Sequence, residues 1–403
     1  MKHFKRIFLL VMDSVGVGEA PDAADFGDEG CCTLGHIAGQ AELRLPTLLS
    51  LGLGNIVAPA PGLRAVEHPL GFYGRMAEVS PAKDTTTGHW EMMGAIRRCA
   101  PPTYPDGFPP ELIEEFSRRI GRGVLGNRAA SGTEIIAELG PEHLRTGSVI
   151  VYTSADSVFQ VAAHKDVMPL EELYRICRVA RELTHGEFQV DRVIARPFVG
   201  SAKAGFTRTP ERRDYSLPPP FNYLDAMIEA EVCVTLVGKL DDIFAGRGYR
   251  RSLHTTCNAE TGSALMGLKD TGADGFYFAN FIDFDMLYGH RNDVAGYARA
   301  LNEFDGWLAG FLAGWRRGDL LILTADHGND PTTASTDHTR EFVPLLVYHS
   351  HASNTGAVRD LGTRNSFADA GATVAACLGV SGTGELAGED FCDNICPSPT
   401  SEV

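Results

Sequence analysis

Seven short β-rich runs in this chain are almost continuously apolar and stop at polar or charged residues. They cover 7–12, 148–152, 193–195, 232–237, 276–282, 320–324 and 342–348. The first stops at Asp13, the fifth at Asp283 and Asp285, and the sixth at Asp326 and His327. Runs that are apolar throughout, rather than alternating, predict strands buried on both faces of a mostly parallel sheet. Helical patterns fall between them, over 111–120, 171–184, 223–231, 295–315 and 366–378. Strands alternating with helices place the chain in the α/β class. In such sheets ligands collect beyond the carboxyl ends of the strands, where these acidic residues and histidines lie.

The candidate ligands are unevenly spread. Asp13 is near the start, Asp285 to His338 are near the end, and the stretch from about 100 to 216 lacks such clusters. Proline-rich sequences bracket that stretch: Pro101-Pro102-Thr103-Tyr104-Pro105 with Pro109-Pro110, and Leu217-Pro218-Pro219-Pro220. Such sequences suit linkers. The expected organisation is a catalytic core from 1–98 and 217–390, interrupted by an inserted α/β cap domain over 99–216. From Asp390 the chain reads as a disordered tail, 391–403, in which Cys392 and Cys396 are close enough to pair. The plainer expectation is a tail without a role.

The formal net charge is −16. A surface so acidic argues against nucleic acid and against an anionic membrane as partners. A negative protein that handles phosphate must supply positive charge locally, from bound metals or a few placed cations. The apolar run after Lys2, Lys5 and Arg6 stops at Asp13, too soon for a signal sequence, and a buried strand is expected there. No run is long enough to span a membrane. The 9 cysteines form no pair of CxxC motifs, so free thiols in a reducing, cytoplasmic compartment are expected.

Asp326-His327-Gly328-Asn329 follows a buried run. Adjacent residues on a strand point to opposite faces, so both reach one site only where the strand breaks, and Gly328 permits the break. His338 follows nearby, Asp285-x4-His290 supplies a second carboxylate–imidazole pair, and Asp13 ends the first run. Three carboxylates and three imidazoles suit manganese, zinc or iron better than calcium or magnesium. Six ligands exceed the needs of one tetrahedral ion and suit two, which can clamp both oxygens of an in-line phosphoryl displacement. Any one of these residues alone would read as a surface carboxylate or a satisfied histidine; six at strand ends would not.

Asp84-Thr85-Thr86-Thr87-Gly88-His89-Trp90-Glu91 is the other unusual stretch. A hydroxyl there could be deprotonated beside a metal and attack phosphorus. Plain helix capping by threonine competes with that reading. Composition does not choose among Thr85, Thr86 and Thr87, and His89 reads as a phosphate donor or a core histidine.

These stretches resemble a known family. Val11-Met12-Asp13-Ser14-Val15-Gly16-Val17-Gly18, the Asp84–Glu91 stretch, Asp283-Phe284-Asp285 with Gly289-His290-Arg291, and Thr324-Ala325-Asp326-His327-Gly328-Asn329-Asp330 are similar to the phosphopentomutases, within the alkaline phosphatase superfamily. The Asp-His-Gly-Asn segment marks the superfamily alone, since cofactor-independent phosphoglycerate mutases share it. The Asp-Thr-x-Thr-Gly-His-Trp-Glu stretch is more specific. The resemblance runs from near residue 5 to about 390.

The resemblance implies an alkaline-phosphatase-like core and an isomerase of nucleoside salvage. It implies one metal held by Asp13, Asp326 and His327 with Thr85 beside it, another held by Asp285, His290 and His338, and manganese as the metal. It implies Thr85 as the phosphoryl carrier and Ser154, Asp156, Val158, Arg192, Ile194, Arg208 and Lys239 as contacts to a pentose phosphate. Arg and Lys suit phosphate oxygens. Arg196 has no family role to carry over and could be a solvated surface charge. The implied reaction interconverts ribose 1-phosphate and ribose 5-phosphate, and the 2-deoxy sugars. Phospho-Thr85 passes through a 1,5-bisphosphate while the cap excludes water, and a sugar bisphosphate such as glucose 1,6-bisphosphate primes the enzyme. The alternatives are a phosphohydrolase or another phosphosugar mutase on the same scaffold, and a catalytically silent sugar-phosphate-binding protein.

Overall fold

The structure is a computed structural model that describes residues 4–100, 102–154, 157–350, 358–381 and 383–396. The chain divides into two compact units, Met1–Cys99 with Pro219–Val403, and Ala100–Pro218. Strands β1 (Arg6–Met12) and β2 (Phe72–Met76) precede the inserted unit. That unit contributes β3 (Val124–Ala129), β4 (Val149–Thr153), β5 (Val158–His164), β6 (Arg192–Ser201), β7 (Gly205–Arg208) and β8 (Arg213–Ser216). The chain returns as β9 (Val234–Gly238), β10 (Arg251–His254), β11 (Gly275–Phe281), β12 (Asp319–Thr324), β13 (Val343–Tyr348) and β14 (Asp360–Arg364).

In the first unit, eight strands form one sheet in the order β10-β9-β11-β1-β12-β13-β2-β14. Only the pairs β12–β13 and β13–β2 are antiparallel; the others named in this sheet are parallel. Every residue of β1, β11 and β12 is buried, as their unbroken apolar sequences require. The charged exceptions, Arg6 of β1 and Asp319 of β12, neutralise each other inside the sheet at 2.8 and 2.5 Å. The register decides the site. Met12 lies opposite Phe281 and Val11 opposite Thr324, so the three central strands end level. The residues that follow, Asp13, Asp285 and Asp326, therefore leave the sheet at one edge.

The inserted unit carries its own sheet, β3-β4-β5-β6-β7, with β8 also on β6. Alternate residues of β4 feed two cores on opposite faces. Val149 and Val151 join Phe116, Phe159 and Ile176 beneath helices Pro110–Ile120 and Leu170–Leu183. Ile150 and Tyr152 join Ile135, Ile136 and Phe198 beneath helix Gly132–Thr146.

The structure departs from the sequence expectations in places. Strand β5 is fully buried, yet Gln160 and His164 break its apolar run. Strand β2 alternates between buried and half-buried, and β14 is an edge strand almost without apolar residues. Helix Gly132–Thr146, with Pro141 inside it, is not among the expected helices. The expected disordered tail is corrected at its start. Cys392–Ile395 forms a helical turn, with Phe391 and Ile395 buried. The Phe391 N–H donates to Thr373 Oγ1 (3.0 Å) and His349 Nε2 donates to the Ile395 carbonyl (2.8 Å). Residues 397–403 lie outside the described residues. Among the described residues, no helix is long and apolar enough to cross a membrane.

Candidate metal centre

Three imidazoles are fixed in the same way. His327 Nδ1 donates to the Gly328 carbonyl (3.0 Å), His338 Nδ1 to the Lys83 carbonyl (2.8 Å) and His290 Nδ1 to the Thr336 carbonyl (2.7 Å). Each bond keeps a proton on Nδ1 and turns Nε2 toward the site, where the neutral ring offers a lone pair to a metal. The Nε2 atoms turn toward the carboxylates. His327 Nε2 is 3.5 Å from Asp13 Oδ1 and 3.4 Å from Asp326 Oδ2. His290 Nε2 is 3.1 Å from Asp285 Oδ2, and His338 Nε2 is 3.4 Å from Asp285 Oδ1. The two Nε2 atoms of His290 and His338 are 3.2 Å apart. Two donor sets result, Asp13–Asp326–His327 and Asp285–His327–His338, each with donor atoms within 4.8 Å of one another. His327 belongs to both, and its ring stacks on His338 at 3.8 Å.

The electrostatics suit cations. Asp13 Oδ1 and Asp326 Oδ2 are buried and accept no hydrogen bond. Such oxygens are costly unless something positive partners them, and a divalent cation would. Burial pushes the Asp13 carboxyl well above its ordinary value, and Asp326 and Asp285 push the same way. Burial also opposes charge on Asp285, but its bonds to His290 and His338 overcome it and hold its carboxyl well below. In return Asp285 pushes His290 up to about 9. Burial lowers His327, which keeps that imidazole neutral. A cation would displace the proton that Asp285 holds on His290, and imidazole nitrogens beside carboxylate oxygens are a donor set for manganese, zinc or iron.

The threonine loop opens helix Thr85–Met92. Its N-cap is Asp84, not a threonine. Asp84 accepts from the Thr87 N–H (3.1 Å) and the Thr87 hydroxyl (2.6 Å), which commits Thr87 to capping. Thr85 Oγ1 instead lies 3.1 Å from His327 Nε2. Gly88 sets how closely this helix approaches Asp326, because a Cβ there would stand 2.2 Å from the Asp326 carbonyl oxygen. His89 is a core histidine held at the site. It is fully buried, its Nδ1 donates to the Thr85 carbonyl (2.8 Å), and the same nitrogen is 3.1 Å from Asp326 Oδ2.

Supporting residues complete the centre. Ser14, in the left-handed region with φ +70°, donates its N–H to Asp326 Oδ1 (3.1 Å), and its hydroxyl meets the Tyr297 hydroxyl at 2.8 Å. Asn329 Nδ2 donates to Asp285 Oδ1 at 2.9 Å. Buried Glu341 accepts from the Thr33 hydroxyl (2.6 Å), the Thr339 hydroxyl (2.7 Å) and the Gly18 N–H (3.1 Å), tying the loop after β12 to the loop after β1. Glu91 accepts from the Val79 and Ser80 N–H groups and the Ser366 hydroxyl, which fixes the helix that carries Thr85. None of these four roles has a signal in local spacing; the quoted stretches include Ser14, Asn329 and Glu91 but assign them no such role. Lys239, after β9, places its Nζ 3.3 Å from Met286 Sδ, and its charge acts on Asp13.

The described substrate candidates of the inserted unit lie on β5, β6 and β7 and just after β4, with Arg208 opposite Phe198, six residues along β6 from Arg192. Val158 opens β5 directly opposite Arg192, the first residue of β6. Ile194 is buried in β6 opposite Gln160, and Ser154 follows β4 half-buried. Arg192 lies 3.9 Å from Asp214, and Arg208, at the end of β7, donates to the Thr133 hydroxyl at 3.1 Å. Arg196 donates to Gln160 at 3.1 Å. Asp156 lies outside the described residues.

Residues 5–382 match the family described as the Metalloenzyme superfamily. A phosphopentomutase of Caldanaerobacter subterraneus subsp. tengcongensis is 56% identical over 93% of this chain and 95% of its own. One from Symbiobacterium thermophilum is 56% identical over 98% and 100%. Among solved structures, phosphoglycerate mutase of Leishmania mexicana is 11% identical, with a TM-score of 0.47 over 96% of this chain and 97% of that one. By the family match and the two near-full-length relatives, the chain belongs to the phosphopentomutases, an isomerase family within the metalloenzyme superfamily.

Proposed function

We propose that this chain interconverts ribose 1-phosphate, and 2-deoxyribose 1-phosphate, with the corresponding 5-phosphates through a phosphothreonine at Thr85. One observation carries the reading: Thr85 Oγ1 sits 3.1 Å from His327 Nε2, at the head of a helix packed on Asp326. Near-full-length relatives named phosphopentomutase support the substrate class.

In this reading Asp13, Asp326 and His327 hold one divalent cation, and Asp285, His290 and His338 hold a second, with manganese as the metal. Bound there, the cations supply positive charge to the transferring phosphoryl group. The protein groups do the rest. Ser154, Asp156, Val158, Arg192, Ile194, Arg208 and Lys239 bind and orient the sugar phosphate. The free sugar hydroxyl attacks phosphorus of phospho-Thr85, the bond to Thr85 Oγ1 breaks, and a 1,5-bisphosphate forms. Thr85 Oγ1 then attacks the other phosphoryl group, which leaves the isomerised monophosphate and restores phospho-Thr85. Exclusion of water by the inserted unit preserves the phosphoenzyme. A sugar bisphosphate of the glucose 1,6-bisphosphate type primes Thr85, and the enzyme works in the cytoplasm.

The test is conversion of ribose 1-phosphate with manganese, with and without the bisphosphate primer. Primer-dependent formation of ribose 5-phosphate without net phosphate release is expected. Stoichiometric phosphate release would make the chain a phosphohydrolase, and no turnover under primed conditions would sink the mutase reading.

A further inference from the structure

Three thiols far from the Asp/His centre in sequence converge at the end of the described chain. Cys377 lies in helix Ala368–Leu378, Cys392 opens the turn Cys392–Ile395, and Cys396 follows it. Their Sγ atoms lie within 4.8 Å of one another, with Cys392 and Cys396 at 3.4 Å. None is in a disulfide. We propose that Cys377, Cys392 and Cys396 form a separate site for a thiophilic cation such as zinc or copper(I), which fastens the segment around Phe391 to the core.

The geometry matches this chemistry. Three thiolates around one ion with bonds of about 2.3 Å stand ~4 Å apart, close to the separations found here. Buried cysteines commonly act as small apolar side chains. A filler role, however, does not require three sulfurs from two elements to point at one another. The backbone holds them there: Phe391 is tied to Thr373, and the Cys396 N–H donates to the Cys392 carbonyl (2.9 Å). Cys377 and Cys392 are buried while Cys396 is half-buried, so the cation enters from the Cys396 side. Each thiol loses one proton to solvent as its sulfur binds the cation. Soft sulfur donors select zinc or copper(I) and reject manganese, so this site does not compete for the metal of the Asp/His centre, which contains no sulfur ligand.

Cadmium is the probe. The full chain is stripped of metal under reducing conditions and titrated with Cd2+, while thiolate-to-cadmium charge-transfer absorbance is followed. Wild type is expected to saturate near one equivalent. C396S should weaken that binding by more than about 100-fold, exceeding the 10–100-fold that loss of an outer partner costs. The triple variant C377S/C392S/C396S should lose the band, and Asp326→Asn should keep it. Because Cys396 is at the edge of the cluster, C396S should retain its circular dichroism and its manganese-dependent turnover. Cd2+ should also slow iodoacetamide labelling of Cys396, mapped by mass spectrometry. An undiminished band in the triple variant, no band in wild type, or unchanged labelling of Cys396 overturns the site.

Discussion

At the carboxyl edge of the eight-stranded sheet, Asp13, Asp326 and His327 are almost sealed from solvent, and each is held by a named partner or neighbour. In the inserted unit, Arg192 is half-exposed with its carboxylate partner 3.9 Å away, and Arg208 is exposed with one hydroxyl partner. The first region has its geometry fixed before any ligand arrives. The second keeps its cations solvated and ready to exchange partners. Preorganised charge is where rate enhancement comes from, whereas solvated cations contribute to binding.

That contrast can be broken or sharpened by substitution. Thr85→Ala should lower kcat by more than about 10⁴-fold, the scale seen when a nucleophile is removed, with metal content unchanged. Residual turnover within tenfold of wild type would move the nucleophile elsewhere. Asn329→Ala removes the donor to Asp285 and should weaken manganese binding about 10–100-fold by calorimetry. Arg208→Ala should raise KM for ribose 1-phosphate by about 10–30-fold, in line with a charged hydrogen bond of about 1.5–2 kcal/mol, with kcat nearly unaffected. A fall in kcat with constant KM would erase the distinction between the two regions. Arg196→Ala should change KM by less than about 3-fold, because Arg196 is already bonded to Gln160.

The central part of the fold was legible because β1, β11 and β12 are apolar along most of their length and are followed by the candidate ligands. Their level register, which brings Asp13, Asp285 and Asp326 to one edge, is a property of pairing and has no local signal. Strand β5 was hidden by Gln160 and His164, polar residues that tertiary packing buries. Six ligand candidates could be named from sequence, and the structure brings them to one edge of one sheet. The residues that orient them could not. Glu341 reaches Thr33 and Gly18 across some three hundred residues, and Ser14 needs a left-handed backbone to meet Asp326. Spacing did not choose among the three threonines and the resemblance pointed to Thr85; in the structure Asp84 accepts from Thr87, while Thr85 Oγ1 lies beside His327.

The position of β1 has a consequence for synthesis. It leaves the ribosome well before both its neighbours, β11 and β12, which lie beyond the inserted unit. Until residue 324 has emerged, this buried, largely apolar strand has at least one bare edge, a hazard for pairing with the wrong chain. The inserted unit, with both its cores encoded between Ala100 and Pro218, has no such wait. A nascent chain therefore carries a finished insertion beside an unfinished host, and it cannot assemble the full ligand set until His338 is made.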